Sequence, residues 1–136
     1  MNRRFFLVGT AALLSAPKLL LAGGNTIEYT PGLIKEKLAA GETVFVDYAA
    51  TWCSTCKRQE RVISKLRANN PDFDENISFV KVDWDTYSSH EVTTSRNVPR
   101  RSTLLLLKGD EELGRIVAGT SSEDIQALME LGLATA

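Results

Sequence analysis

Only three residues separate the run Val44-Phe45-Val46-Asp47-Tyr48-Ala49 from Cys53. The run is mostly apolar on both alternations, as in a central strand buried on two faces. It leads into a stretch where Cys56, Val62, Ile63 and Leu66 recur at helical spacing among Lys, Arg and Glu. A doubly buried strand needs helices on both sides of its sheet, so the chain is expected to fold as an α/β domain.

The remaining pattern supports that class. Thr26 to Tyr29 reads as a short strand, and Pro31 suits the start of a helix that carries Leu33, Ile34 and Leu38 on one face and ends at Gly41. Asn70-Pro71-Asp72 breaks the helix that began near Cys53, and Ile77 to Val82 forms the next strand, with Trp84 packing at its end. Residues 86–96 are polar and weakly helical, which makes His90 a surface histidine. Thr103-Leu104-Leu105-Leu106-Leu107 is a second buried strand, turned by Gly109-Asp110 into a hairpin with Leu113 to Val117. Thr120 or Ser121 caps a last helix with Glu123 and Asp124 three residues on, and Ile125, Leu128 and Met129 form its inner stripe. The predicted order is β-α-β-α-β-α-β-β-α. Strands joined through helices run parallel and the hairpin antiparallel, giving a mixed sheet with helices on both faces.

Composition narrows the function. The chain has 136 residues, one domain on a scale of roughly 100–200 residues each. Sixteen basic residues against 17 acidic give a net charge of −1, which offers no basic surface for nucleic acid. Two cysteines and one histidine fill neither a four-cysteine zinc site nor a His-rich metal centre, so no metal is expected, and no organic cofactor is needed where a cysteine pair can carry two electrons itself.

Residues 1–24 read as an address. Arg3 and Arg4 precede an apolar stretch from Phe5 to Ala16, the first acid is Glu28, and Ala22-Gly23-Gly24 supplies small residues for cleavage near Asn25. Asn2-Arg3-Arg4-Phe5-Phe6-Leu7 is similar to the twin-arginine export signal, with Asn2 where Ser or Thr is usual; the ordinary Sec route is the alternative. Pro17-Lys18 interrupts the ~20 apolar residues that an uncleaved anchor would need. Removing this segment leaves 13 basic and 17 acidic residues, a balance of −4, on a domain spanning 25–136 and bound for the periplasm or another exported location. Disulfide chemistry is available there.

The Cys53-x-x-Cys56 spacing puts both thiols within one helical turn, close enough to form a disulfide. Because a strand precedes it and a helix follows, Cys53 falls at the helix N-terminus. Unpaired N–H groups and the positive end of the dipole stabilise a thiolate at that place. Cys56, one turn in, is the resolving thiol that breaks a mixed disulfide on Cys53. A purely structural disulfide closing so short a loop would constrain little of the unfolded chain.

Val46-Asp47-Tyr48 through Trp52-Cys53-x-x-Cys56-Lys57 resembles the thioredoxin family, and the element order matches that fold over the mature chain. The resemblance implies a thioredoxin-like fold with about five strands and an exported, monomeric thiol–disulfide oxidoreductase. It further implies that Asp47 assists proton transfer at Cys56, that Trp52 shapes the substrate surface, and that Lys57 lies near Asp47 and tunes it. Ser54-Thr55 stands where Gly-Pro is common, at the two positions on which redox potential depends. The family's cis-proline, which pairs with substrate backbone beside the next strand, aligns with Ser102 ahead of Thr103, while Pro99 lies three residues early. Ser102 and Thr103 are therefore expected in substrate binding, with a trans peptide there or a displaced role for Pro99. Arg100 and Arg101 can bring charge to the thiols. Reduction is favoured over oxidation because no helical insertion like that of the dedicated oxidants is evident. Expected partners are protein disulfides, among them apocytochrome c, and a membrane thiol-electron donor. The rival reading is a non-catalytic module of the same fold holding a protein partner or a metal or cluster.

Overall fold

The computed structural model describes residues 25–135. The export segment expected at 1–24 lies outside the described residues. The strands are β1 (Ile27–Glu28), β2 (Thr43–Ala49), β3 (Ile77–Asp83), β4 (Thr103–Lys108) and β5 (Glu111–Val117). They form one sheet in the order β1-β3-β2-β4-β5. β3 runs parallel to β1 and β2, and β4 is antiparallel to both β2 and β5. The expected mixed five-stranded sheet is the one observed. β5 starts two residues earlier than the pattern suggested, because Glu111 and Glu112 pair with Lys108 and Leu107 despite being exposed.

Each alternation of the central strands buries a different core. Val44, Val46, Tyr48, Val80, Val82, Leu105 and Leu107 face α1 (Leu33–Ala39) and the one-turn helices α4 (Trp84–Tyr87) and α5 (Glu91–Thr94). Phe45, Phe79, Leu104 and Leu106 face α2 (Ser54–Asn69), α3 (Asp72–Asn76) and α6 (Ser122–Ala134). Leu104 to Leu107 are completely buried, as a strand covered on both sides requires.

Local signals set the helix ends. α1 stops at Gly41, whose φ of 82° lets its N–H reach the Leu38 carbonyl while that of Glu42 reaches Lys37. Ser121 caps α6 by accepting from the Asp124 N–H at 3.3 Å. Two segments depart from the sequence reading. Asn70-Pro71-Asp72 does end α2, but the chain turns at once into α3, where the Asn70 side chain holds the Asp72 N–H and Phe73 is buried. The weakly helical stretch expected at 86–96 is two one-turn helices, Trp84–Tyr87 and Glu91–Thr94, and the departure lies in its histidine. His90 is no free surface residue: half-buried, it caps α5 through Nδ1, 3.1 Å from the Val92 N–H, and sits edge-on to Tyr29 and Tyr87.

Candidate active site

β2 delivers the chain to the site. After Ala49 a tight turn, closed by the Cys53 N–H on the Ala50 carbonyl at 3.2 Å, brings Cys53 to the N-cap of α2. Its backbone is extended, and its sulfur accepts the Cys56 N–H at 3.2 Å. A sulfur thus does what a serine or aspartate oxygen usually does at this position. The first turn of α2 carries no acidic residue, so nothing local opposes a negative sulfur. Both cysteines are free thiols and both are buried, packed with Ala49, Ala50 and the ring of Trp84. Ser54 is exposed and Thr55 half-buried in the same turn.

Ser102 faces the pair from the start of β4. Its hydroxyl oxygen lies 3.2 Å from Cys53 Sγ and 3.0 Å from Cys56 Sγ. No peptide bond among the described residues is cis. Ser102 is instead left-handed, with φ 62°, a conformation that costs a non-glycine residue about 1–2 kcal/mol. Three hydrogen bonds hold it there. Its N–H donates to the Tyr48 carbonyl at 2.7 Å, and its carbonyl accepts from the Ala118 N–H at 2.8 Å and from Gln59 Nε2 at 2.9 Å. Asn97 and Ala118 are left-handed as well, and of the three it is Ser102 whose side chain faces the sulfurs. Pro99 is exposed in the preceding loop, and Ser102 is the residue beside the sulfurs.

The two thiols differ electrically. Burial pushes the Cys53 thiol up. The Cys56 thiol, the Ser102 hydroxyl, the Cys56 N–H and the Arg101 guanidinium outweigh that effect and bring it down to about 7. Burial and the same contact with Cys53 push the Cys56 thiol up. One sulfur is therefore poised to ionise near neutrality while its neighbour stays protonated.

Asp47 lies on β2 on the face covered by α2. Burial lifts its carboxyl from 3.8 to about 7, against the lowering effect of Lys81 and with help from the negative charges of Glu60 and Cys53. Its Oδ1 is buried with no hydrogen-bond partner among the described residues. Asp47 lines a cavity of about 470 Å³ together with Glu28, Glu60, Arg67 and Lys81. The lysine beside Asp47 is Lys81, its register partner on β3, which also approaches Glu60 at 3.7 Å. Lys57 points to solvent on α2, so the neighbour expected from the sequence is replaced. Lys81 was readable as the one charge inside the run Phe79-Val80-Lys81-Val82.

The surface around Cys53 is aromatic and cationic. Trp52 is 57% exposed, its indole N–H donates to both Asp85 oxygens at 3.0 and 3.1 Å, and the Arg101 guanidinium stacks 4.4 Å from its ring. Arg101 is thus the arginine that brings charge to the thiols, while Arg100 donates to the Arg101 carbonyl. Thr103 is fully buried and its hydroxyl donates to the Arg100 carbonyl at 2.7 Å, so its side chain shapes the loop instead of meeting a substrate. Gln59, fully buried with Nε2 on the carbonyls of Ser102 and Gly119, is a site residue that sequence reasoning missed.

This arrangement suits dithiol exchange. A thiolate at Cys53 attacks a disulfide sulfur, and Cys56, one turn away, displaces the partner from the mixed disulfide. The thioredoxin family model matches residues 25–131. Thioredoxin H5 of Oryza sativa subsp. japonica is 28% identical over 127 residues, covering 90% of this chain and 89% of the relative. Thioredoxin-1 of Saccharomyces cerevisiae is 32% identical over 91 residues, covering 67% of this chain and 82% of the relative. Among solved structures, Trxlp from Edwardsiella tarda superposes with a TM-score of 0.65 at 31% identity, covering 76% of this chain and 98% of that one. Thioredoxin of Malassezia sympodialis shares the fold at a TM-score of 0.69 and 23% identity, over 86% of this chain and 96% of that one. With a dithiol held as described and a family match over most of its length, the chain belongs to the thioredoxin family and is a protein disulfide oxidoreductase.

Proposed function

We propose that this oxidoreductase works outside the cytoplasm as a reductant of protein disulfides. What supports the direction is that the Cys53 thiol is brought down only to about 7 by the groups around it, while burial pushes the Cys56 thiol up. A dithiol protein is oxidising to the extent that its reduced form is stabilised. Nucleophiles that ionise near about 3.5 belong to strong oxidants, and thioredoxin itself, at about 7, to the reducing end. Cys53 resembles the second kind.

Cys53 attacks the substrate disulfide, Cys56 resolves the intermediate, and Asp47, buried behind the pair, takes up and returns protons for the free dithiol. The substrate leaves as a dithiol, and two electrons and two protons have passed to it from the cysteine pair. A membrane dithiol donor then returns the Cys53–Cys56 disulfide to thiols. Trp52 offers the exposed apolar surface on which substrate chain settles, and misformed disulfides or apocytochrome c are the substrates that suit an exported reductant. Export is supported by Arg3-Arg4, the apolar stretch 5–16 and the small residues 22–24, and by the start of the family match at residue 25.

Insulin reduction by dithiothreitol, with wild type beside Cys53→Ser and Cys56→Ser, tests the reaction. Only wild type is expected to accelerate it; equal rates for all three leave a binding module. Equilibration against a glutathione series tests direction, and a value more reducing than the glutathione couple is expected. Cell fractionation of the full chain and of Arg3→Lys/Arg4→Lys tests export, with retention of the double variant in the cytoplasm expected for the twin-arginine route.

A further inference from the structure

The hydroxyl of Ser102 is the polar side-chain group in contact with both sulfurs, at 3.2 and 3.0 Å, whereas Asp47 Oδ1 has no hydrogen-bond partner among the described residues. A serine hydroxyl has one proton to give and two lone pairs to receive with, so it can accept from one thiol and donate towards another sulfur at once. Ser102 is also fixed in place. It is fully buried, its left-handed backbone is pinned by Tyr48, Ala118 and Gln59, and its hydroxyl is left facing the pair. A side chain that merely filled the place of a substrate-binding residue would need none of this.

From this geometry we infer that Ser102 is a catalytic residue that relays a proton from Cys56 to the departing substrate sulfur during resolution of the mixed disulfide. The inference rests on the exchange reaction and is independent of its direction or of export. In the step, Cys56 passes its thiol proton to Ser102 Oγ as Ser102 passes its own proton to the substrate sulfur. The freed electron pair on Cys56 forms the bond to Cys53 Sγ, and the bond from Cys53 to the substrate sulfur breaks with its pair on the substrate. The products are the Cys53–Cys56 disulfide and a neutral substrate thiol, with Ser102 unchanged. Because donation and acceptance are concerted, no alkoxide forms, which a hydroxyl could not sustain near neutrality. Asp47 then acts as a proton store for the free dithiol, and the contact that moves the proton in the resolving step belongs to Ser102.

The nature of the leaving sulfur separates this role from simple support of a thiolate. 2-Nitro-5-thiobenzoate departs as a stable anion and needs no proton, whereas the glutathione thiol does. The experiment compares wild type, Ser102→Gly and Ser102→Ala, the glycine variant accepting positive φ without strain. Mixed disulfides on Cys53 are formed with excess Ellman reagent or oxidised glutathione, and resolution is followed by rapid acid quench and mass spectrometry. Both variants are expected to release glutathione about 10- to 100-fold more slowly than wild type and nitrothiobenzoate less than about threefold more slowly. Equal slowing of the two leaving groups, or slowing of neither, overturns the relay. If wild type itself stalls at the mixed disulfide, it is the exchange reaction that fails.

Discussion

Ser102 Oγ stands 3.0 Å from Cys56 Sγ, at the position where the sequence resemblance leads one to expect the family's proline. The substitution changes both chemistry and backbone. Proline fixes φ near −65° and has no N–H, while Ser102 has φ 62° and donates to Tyr48 at 2.7 Å.

Restoring the family residue is therefore expected to harm this chain. Ser102→Pro should lose about 3 kcal/mol or more in urea denaturation, because the ring cannot adopt the observed φ and the bond to Tyr48 is lost. Ser102→Gly, which relieves the left-handed strain, should stay within about 1 kcal/mol of wild type. Equal stability of the proline variant and wild type would show that the loop settles readily into another conformation.

Asp47 gives stability a pH dependence of defined sign. Its carboxyl is lifted from 3.8 to about 7 in the fold, so between those values the native state holds a proton that the unfolded chain has released. Stability from this group is complete below the unfolded value and falls as pH rises through about 7. Asp47→Asn removes the burden of a buried carboxylate and should stabilise the protein by roughly 2–4 kcal/mol at about pH 8, with little gain at about pH 4. Chemical denaturation at the two pH values checks this, and a gain that does not grow with pH would contradict it.

Much of this could be read from the residues, and the reasons differ by element. The central strands were plain because Val44 to Ala49 and Leu104 to Leu107 are covered on both sides, which leaves runs with almost no polar break. α3 was hidden because Asp72, Asp74, Glu75 and Asn76 surround a single apolar anchor, Phe73, and five residues carry too little periodicity. The inner stripe of α2 was legible in part, since Val62 and Leu66 do pack against the core as their spacing implies. Its buried members are Cys56, Gln59, Ile63 and Arg67, two of them polar. Arg67 is buried because Asp74, Thr26 and the Asn25 carbonyl satisfy its guanidinium while its charge lies 3.9 Å over the Phe79 ring. Such partners come from other elements, and no local pattern announces them. At the site, the cysteines and Ser102 followed from position along the chain, whereas Lys81 and Gln59 depended on cross-strand and helix-to-loop contacts.

Gln59 offers a test of the loop's restraint. Gln59→Leu takes a donor away from the carbonyls of Ser102 and Gly119, yet it also removes the buried Oε1 that has no partner among the described residues. The net cost should be about 1–2 kcal/mol. Because Ser102 then loses one of its three anchors, the Cys53 thiol should also ionise at higher pH. A stability loss with unchanged ionisation would assign Gln59 to packing alone.

The most direct measurement of the account is the pH dependence of Cys53 alkylation in the reduced protein, read at that residue by peptide mass spectrometry. Reaction should rise with a midpoint at about 7, while Cys56 reacts only at higher pH. A Cys53 midpoint at the free-thiol value of about 8.5 would contradict the account, because the N-cap, Ser102 and Arg101 would then provide no poised nucleophile.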